Sequence, residues 1–238
     1  MVPSAALSLK GIFAAIACLA ALAGCDGEAV ADAAADSVAT NGSLSPPSGN
    51  GFDFWVLSLS WSPSYCEAKG DDANRQQCAS PGKHAFIVHG LWPQFERGWP
   101  EFCDSREPDR VPDRLVSEML DIMPSAGLIG HQWRKHGSCS GLSQRDYFRG
   151  VRAARGRVEI PTALDSIDQR RMVEPDAVEE AFRDANPGLG ADAIAVTCDG
   201  GLLREVRICM SKNFTFRACP EVDRRGCRHD ETQMPASR

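Results

Sequence analysis

Residues 52–61 read FDFWVLSLSW, a run in which large apolar side chains alternate with smaller ones over much of its length. A two-residue period of this kind predicts a β-strand that buries one face. Ala85 to Val88 is a shorter run of aromatic and β-branched residues, and it predicts a second strand. Towards the C-terminus, Ala193 to Cys198 and Leu202 to Cys209 flank Asp199-Gly200-Gly201, a sequence typical of a β-hairpin.

Three segments between these strands have helical spacing, with apolar residues three and four positions apart. Each begins near a proline or serine, residues that favour a helix N-terminus. The segments are Pro112–Met123, Ser143–Arg155 and Pro175–Asn186. A short extended piece is predicted at Phe214–Phe216. Because helices occupy the middle and strands both ends, the sequence predicts one α+β domain over residues 52–238, with a central antiparallel sheet.

The first 25 residues have the features of an export signal. Lys10 is their only charged side chain, and Gly11 to Ala23 is apolar but shorter than the ~20 residues of a membrane-spanning helix. The segment ends in Leu22-Ala23-Gly24-Cys25, which resembles the lipobox of bacterial lipoproteins. We therefore expect a signal peptide at residues 1–25 and lipidation of Cys25, with ordinary cleavage after Ala23 as the alternative.

Residues 26–51 are rich in Ala, Asp, Ser, Gly and Pro and have no apolar period. Such a segment cannot offset the entropy lost on ordering, so a flexible tether is predicted. The lipid anchor is then the expected contact with a membrane. The protein is expected in the bacterial cell envelope, facing the periplasm, or secreted.

The chain has ten cysteines, of which Cys18 and Cys25 lie in the leader. The other eight include no C-x-x-C pair, and their even number predicts four disulfides in an oxidising compartment. Spacing alone leaves their connectivity open. The chain has 26 Lys and Arg against 32 Asp and Glu, a formal charge of −6. It therefore lacks a general basic field, and any polyanion must be held by a local site.

Three of the five histidines lie in two short segments, HGLWP at 89–93, directly after the second predicted strand, and HQWRKHG at 131–137. Helical geometry at ~100° per residue would place four polar side chains of the second segment on one face and direct Trp133 elsewhere. The four are His131, Gln132, Lys135 and His136. Gly137 is available to end the helix.

A zinc site is one explanation of clustered histidines. A zincin helix has two His residues four positions apart with a Glu between them, whereas His131 and His136 are five apart without an acidic neighbour. The spacing argues against a metal, and no cofactor is predicted. A metal-dependent phosphodiesterase stays open as an alternative function.

Two imidazoles and an ammonium group suit the cleavage of an RNA phosphodiester. The 2′-hydroxyl must lose a proton, the 5′-oxygen must gain one, and the phosphorane between them carries extra negative charge. A neutral His would be the base, a protonated His the acid and a Lys the electrostatic stabiliser. Opposite protonation states predict a bell-shaped pH dependence centred on the acidic side of neutral.

The two histidine segments resemble the active-site segments of the ribonuclease T2 family, through HGLWP at 89–93 and H-x-W-x-K-H-G-x-C at 131–139. Residues 55–66 resemble the family's first strand and residues 205–209 its C-terminal strand, so the resemblance spans roughly Phe52 to Cys227. It implies an α+β fold, no metal, and transesterification to a 2′,3′-cyclic phosphate that is hydrolysed more slowly to a 3′-phosphate.

The resemblance also implies a role for each matched residue. His136 is the base towards the 2′-hydroxyl, His89 is the acid towards the leaving oxygen, and His131 contacts phosphate. Lys135 stabilises the phosphorane. Trp92 either stacks on a nucleobase, for ~1 to 3 kcal/mol, or belongs to the core. Further candidates for base stacking are Tyr65, Phe95 and Trp99.

Gln132 departs from the family, which usually has Glu at this position. A carboxylate would favour the charged form of nearby imidazoles, whereas an amide can only hydrogen-bond phosphate. We expect reduced but surviving activity with a more acidic pH optimum. A catalytically weakened RNA-binding protein of the envelope stays open as an alternative. Ser60, where plant relatives often have Gln, leaves the second base site open.

The resemblance finally implies how the cysteines pair. The implied disulfides are Cys66–Cys78, Cys103–Cys139, Cys198–Cys227 and Cys209–Cys219. Together, the residues and the resemblance predict a secreted or lipid-anchored endoribonuclease that cleaves single-stranded RNA with low base specificity. It is expected to act as a monomer and to need no protein partner.

Overall fold

The computed structural model describes residues 49–79 and 84–237 as an α+β domain built on one sheet, which confirms the predicted fold class. Within these ranges the sheet has six strands. They are β1 (Phe54–Trp61), β2 (Phe86–Gln94), β3 (Arg171–Val173), β4 (Ile194–Asp199), β5 (Leu202–Met210) and β6 (Thr232–Met234).

The centre of the sheet is antiparallel. Strand β1 lies between β2 and β5, and β5 also pairs with β4. Strand β6 meets the start of β5 in parallel through the pair Leu202 and Gln233, and β3 pairs antiparallel with β6. The first strand of the domain is therefore hydrogen-bonded to a strand from its C-terminal third, and most of the helices lie in the chain between them.

The helices are short in the first half of the domain and longer in its centre. Their bounds are α1 (Ser62–Lys69), α2 (Arg75–Cys78), α3 (Asp113–Ser117), α4 (Ala126–Lys135), α5 (Gln144–Arg155), α6 (Thr162–Asp165), α7 (Pro175–Ala185) and α8 (Pro220–Asp223). Ser143 caps α5 by accepting a hydrogen bond from the backbone N–H of Asp146. Helices α5 and α7 confirm the predictions for those two segments. In the described part of the chain, no helix is long and apolar enough to cross a membrane.

The alternation in β1 separates the core from the functional face. Trp55, Leu57, Leu59 and Trp61 are fully buried in the main hydrophobic core, where they meet aromatic side chains of α4, α5 and α7. On the opposite face of the strand, Ser58 and Ser60 are small. Ser60 lines a cavity on this face.

Three of the five strand predictions hold, those for β1, β4 and β5, and one is too short. The β4–β5 hairpin closes through Gly200 and Gly201, whose φ angles of +57° and +79° are those of a tight hairpin turn. The second strand was predicted only to Val88, but β2 continues to Gln94. The HGLWP segment therefore lies within a strand and not after it. Pro93 is tolerated because β2 pairs on one side only, with β1.

Two other predictions fail in part. The predicted helix Pro112–Met123 is helical only over Asp113–Ser117 and then becomes a series of turns, although Met119 and Met123 are buried as their spacing indicated. The predicted strand Phe214–Phe216 is reduced to an isolated bridge between Met210 and Phe216. Phe214 has a φ of +59°, which is incompatible with an extended strand.

The eight cysteines of the domain form four disulfides within the described residues. They are Cys66–Cys78, Cys103–Cys139, Cys198–Cys227 and Cys209–Cys219, the pairs that the family resemblance implies. The predicted signal peptide, lipidated Cys25 and most of the tether lie outside the described residues. Asn50, placed in the tether by the sequence, donates its backbone N–H to Ser140 O at 2.9 Å and so belongs with the folded domain.

Candidate functional site

A cavity of about 380 Å³ brings the two histidine segments together on the open face of the sheet. Strand β2 supplies His89 and Trp92, and β5 supplies Glu205 and Arg207. The remaining polar wall comes from α4 and the residue that follows it. That wall consists of His131, Gln132, Lys135 and His136.

His89 projects from an irregularity in the sheet. Gly90 pairs with Ser58 and Val88 with Leu59, so that His89 is an additional residue in β2 with no partner in β1. Such a β-bulge changes the direction of a side chain relative to a regular strand. The bulge explains how the side chain of His89 can line the cavity although the rest of β2 is a regular strand.

Helix α4 carries the second segment and ends where the sequence indicates. Ser125 caps it by accepting a hydrogen bond from the backbone N–H of Leu128 at 3.2 Å. The helix stops at Lys135, and His136 has left helical geometry, with φ −122° and ψ −47°. Trp133 is buried in the core, as its position on the helix predicted. Gly137 is needed beside it, because a Cβ there would overlap the Trp133 ring.

Glu205 is a buried carboxylate in contact with the catalytic candidate His89. Its Oε1 lies 2.6 Å from His89 Nδ1, and its Oε2 accepts hydrogen bonds from Arg207 Nε at 3.0 Å and Nη2 at 2.8 Å. Burial alone raises the pKa of Glu205, but the hydrogen bonds and charges of His89 and Arg207 outweigh it and lower the pKa to about 2. Glu205 is therefore an anion over the whole range in which histidines titrate.

His136 is held as a neutral imidazole. Its side chain is only 6% exposed, and desolvation, followed by the positive charges of Lys135, His89 and His131, lowers its pKa to about 3. Nδ1 is buried without a hydrogen-bond partner, which leaves Nε2 as the nitrogen that the cleft can reach. The ring stacks on Trp92 at a centroid distance of 5.2 Å.

His131 and Lys135 lie nearer the mouth of the cleft. Desolvation and the charges of Lys135 and Arg134 lower the pKa of His131, although this ring is exposed. Lys135 Nζ lies 3.4 Å from Glu101 Oε2 and 5.8 Å from the centre of the Phe102 ring. Lys135 is thus a cation at the rim, paired with one exposed carboxylate.

Trp92 and Gln132 form a hydrogen bond between β2 and α4. Trp92 Nε1 donates to Gln132 Oε1 at 2.8 Å, and Gln132 is 1% exposed. A glycine at position 90 permits this contact, because a Cβ there would overlap both the Gln132 amide oxygen and the indole nitrogen. Trp92 is therefore not a plain core residue: it lines the cavity and also braces the amide of Gln132.

The aromatic candidates divide between two cavities. Phe95 and Trp99 line the first cavity with Trp92, and Trp99 is 44% exposed. Tyr65 lines a second cavity of about 370 Å³ instead, together with Ser60. The two cavities share His89, His131, Arg204 and Glu205, so they adjoin at the histidines. Each cavity offers an aromatic surface beside the same polar centre.

Sequence reasoning did not assign a role to Glu205, Arg207 or Phe102. A signal for Glu205 was present, because an acidic residue interrupts the apolar run of the C-terminal strand, LLREVRICM. Phe102 carries no such signal. It is exposed, has a φ of +50°, and donates its backbone N–H to Lys135 O at 2.9 Å. The residue next to it, Cys103, is bonded to Cys139, which lies just after helix α4.

Comparison with known families and proteins identifies relatives of the chain. The model of the ribonuclease T2 family matches residues 52–219. A ribonuclease of Aeromonas hydrophila is 36% identical over 174 residues, which cover 69% of this chain and 74% of that protein. A probable ribonuclease of Haemophilus influenzae is 32% identical over 129 residues, which cover 49% of this chain and 47% of that protein.

Solved structures show the same fold at lower sequence identity. The RNase-related protein from Calystegia sepium superposes with a TM-score of 0.62 at 20% identity and covers 79% of this chain and all of its own. RNase NT in complex with 5′-AMP gives a TM-score of 0.58 at 23% identity with the same coverage. At these identities the likeness concerns the fold.

Proposed function

The chain belongs to the ribonuclease T2 family and is an endoribonuclease, and from this premise we propose that it cleaves single-stranded RNA by metal-independent transesterification. The first product is a 2′,3′-cyclic phosphate, which is hydrolysed more slowly to a 3′-phosphate. The observation that carries the proposal is the opposite electrostatic setting of two histidines in one cleft: His136 is kept neutral by burial, and His89 is bound to the anionic Glu205.

In the proposed first step, His136 accepts the proton of the 2′-hydroxyl as the 2′-oxygen forms a bond to phosphorus. The bond from phosphorus to the 5′-oxygen breaks, and His89 gives a proton to that oxygen. In the second step the roles reverse: His89 takes a proton from water as the water oxygen forms a bond to phosphorus, the bond from phosphorus to the 2′-oxygen breaks, and His136 returns a proton to that oxygen. A pair of groups held in opposite protonation states is the usual arrangement for such an exchange.

Phosphate is proposed to bind between the α4 residues and β2. Lys135 supplies a positive charge to the phosphorane, and the amide nitrogen of Gln132 and the ring of His131 donate hydrogen bonds to its oxygens. The salt bridge of Lys135 with Glu101 is exposed and weak, so that a phosphate can replace the carboxylate at low cost.

Nucleobases are proposed to occupy the two cavities on either side of this centre. The first offers Trp92 and Trp99, and the second offers Tyr65. Stacking on aromatic rings tolerates every base, which supports low base specificity. A nucleotide ligand in the related fold of RNase NT, 5′-AMP, is in keeping with such subsites.

The N-terminal sequence supports a further part of the proposal. Residues 1–25 act as a signal peptide, Cys25 carries the lipid anchor, and the segment that follows holds a monomeric catalytic domain away from the membrane of a bacterial cell. Four disulfides fit a periplasmic or extracellular place of action.

The test is an RNA cleavage assay with the purified protein, with and without EDTA, in which cyclic phosphate termini are measured. EDTA-resistant cyclic product that disappears in His89→Ala and His136→Ala, but not in His229→Ala, supports the proposal. His229 is exposed and lies outside both cavities. Binding without cleavage would favour a weakened RNA-binding protein, and activity lost with EDTA would favour a metal-dependent phosphodiesterase.

A further inference from the structure

Glu205 occupies a place where a carboxylate is costly. It lies on the interior strand β5, in register with Ser60 on β1 and Thr197 on β4, and is 1% exposed. A buried charge must be paired and hydrogen-bonded, and even then buried ion pairs add little net stability compared with apolar residues. The position of this carboxylate therefore calls for an explanation other than stability.

Both oxygens of Glu205 are already used. His89 Nδ1 lies 2.6 Å from Oε1, and Arg207 approaches Oε2 with two nitrogens, Nε and Nη2. Because the carboxylate accepts at Oε1, the hydrogen on Nδ1 is fixed in both charge states of the ring. Nε2 is then the nitrogen of His89 that exchanges a proton.

We infer that Glu205 is the positioning residue of His89, which it orients and stabilises as the proton donor to the leaving 5′-oxygen. This inference rests on the proposed function. In the step itself, the proton passes from Nε2 to the 5′-oxygen as the bond from that oxygen to phosphorus breaks. Glu205 keeps its hydrogen bond to Nδ1 throughout and transfers no proton.

The charges around His89 explain why an anion is needed. Arg204 and Arg207 approach from β5, while His131, Lys135 and His136 line the same cavity from α4 and its C-terminal end. Among these positive groups, Glu205 is the carboxylate that contacts the His89 ring. Arg207 also lies 5.2 Å from the centre of the Trp92 ring. It therefore contacts both the Glu205 carboxylate and the aromatic ring that is proposed to stack on a nucleobase.

Two substrates separate a role in proton donation from a general structural role. Cleavage of UpA expels a 5′-oxygen that needs a proton, whereas uridine 3′-(4-nitrophenyl phosphate) expels a phenolate that leaves without one. For Glu205→Gln we expect kcat/KM on UpA to fall about 10- to 100-fold while the value on the aryl ester changes less than about threefold.

Three variants give the comparison its controls. His89→Ala should show the same selectivity between the two substrates with a larger loss on UpA, about 10²- to 10⁴-fold. Glu205→Asp keeps the charge but moves it away from His89 Nδ1, so it should lose activity on UpA and keep its activity on the aryl ester. Glu179→Gln removes a partly buried carboxylate that accepts from Val196 N at 2.7 Å, away from His89, and should leave the ratio unchanged.

The outcomes distinguish a failure of the proposed function from a failure of the inference about Glu205. A wild-type protein that makes cyclic phosphate from neither substrate rejects the proposed function. An active wild type with a Glu205→Gln variant that loses both substrates equally, or neither, overturns the inference alone. If Glu205→Gln does not fold, Glu205→Asp decides: an unchanged ratio of activity on UpA to activity on the aryl ester in the folded variant overturns it as well.

Discussion

The indole nitrogen of Trp92 donates a hydrogen bond to Oε1 of Gln132 at 2.8 Å, and this bond joins strand β2 to helix α4 beneath the catalytic cleft. With Oε1 engaged, the amide nitrogen of Gln132 is the group left to meet a phosphate. The contact fixes a neutral donor on α4, beside His131 and His136. The electrostatics of the cleft are therefore set without an anion on α4.

The first prediction concerns Gln132→Glu. Gln132 is buried beside His131 and His136, so a carboxylate there should raise the pKa of both rings. We expect the acidic limb of the profile of kcat/KM against pH to move upward by about one unit. We also expect faster cleavage near pH 6, because a more basic His136 accepts a proton more readily. The measurement is UpA cleavage between pH 3.5 and 8.

Gln76→Glu is the matched control for this change. Gln76 is exposed, lies outside both cavities, and uses only its side-chain oxygen, which accepts from Ala126 N. The substitution Gln76→Glu adds the same charge at a position that does not face the histidines. It should leave the profile of kcat/KM against pH unchanged. An unchanged rate and profile in Gln132→Glu would show that the charge at this position does not set the pH dependence of cleavage.

The second prediction concerns Gly90→Ala. The added Cβ would overlap Gln132 Oε1 and Trp92 Nε1, so the hydrogen bond between them must break. We expect unfolding to be easier by about 1–3 kcal/mol from overpacking, and kcat/KM to fall at least about tenfold from displaced catalytic groups. Urea unfolding and steady-state kinetics measure the two effects.

Gly130→Ala provides the comparison on the catalytic helix. The nearest atom to its Cβ is the end of the flexible Arg134 side chain, at 3.2 Å. This substitution should stabilise α4 by about 1 kcal/mol and leave kcat/KM as it is. Equal activity of the two alanine variants would contradict a role for close packing at Gly90.

The sequence predicted the local features of this fold better than its long-range features. A few neighbouring residues were enough to predict three of these features. They are the strand within residues 52–61, the Ser143 cap of α5 and the glycine turn of the β4–β5 hairpin. Strands β3 and β6 have three residues each and exist only because they pair with each other and with the start of β5. Short strands held by distant partners leave no periodic signal.

The candidate site follows the same division. Helical spacing brought His131, Gln132 and Lys135 together, because those neighbours lie on one helix. The bulge at His89 and the contact between His89 and Glu205 depend on the register of β1 with two strands that are distant in sequence. Register is a tertiary property, which is why a partner 116 positions away could not be inferred from His89 itself.

The third prediction compares two disulfides that close loops of similar length. Cys103–Cys139 and Cys198–Cys227 span 36 and 29 positions, so replacing either pair with serine should lower the free energy of unfolding by about 4 kcal/mol. Only the first should reduce kcat/KM, by about tenfold, because Cys103 follows Phe102, whose backbone N–H is bonded to Lys135 O. Equal kinetics in both folded variants would contradict a link between this bridge and Lys135.

The fourth prediction tests base stacking at the rim. Trp99 lines the first cavity and is largely exposed, with Arg225 4.7 Å from the centre of its ring. Trp99→Ala should weaken the binding of a non-cleavable 2′-deoxy dinucleotide by about 1 to 3 kcal/mol without changing the midpoint of thermal unfolding. Met172→Ala, at an exposed apolar residue outside both cavities, is the control and should leave affinity unchanged.

The last prediction concerns stability against pH. The pKa of His136 is about 3 in the folded protein, against about 6.5 in an unfolded chain. Between these values the unfolded chain binds a proton that the folded chain does not, so the free energy of unfolding must fall as the pH falls. From pH 7 to pH 5 this one residue should cost about 2 kcal/mol. His131, whose pKa is also lowered, acts in the same direction.

From pH 7 to pH 5, Glu205, with a pKa of about 2 when folded and an ordinary value near 4.5, adds little, because it loses its contribution mainly below pH 5. Burial raises the pKa of Glu179, so this carboxyl acts in the opposite direction, but it does so equally in all the proteins compared. Urea unfolding at a series of pH values should show a drop in His229→Gln equal to that of the wild type, since His229 is exposed. In His136→Gln the drop should be smaller by about 2 kcal/mol. An equal drop in all three proteins would mean that His136 takes up its proton as easily when folded as when unfolded, and it would remove the reason for assigning it as the base.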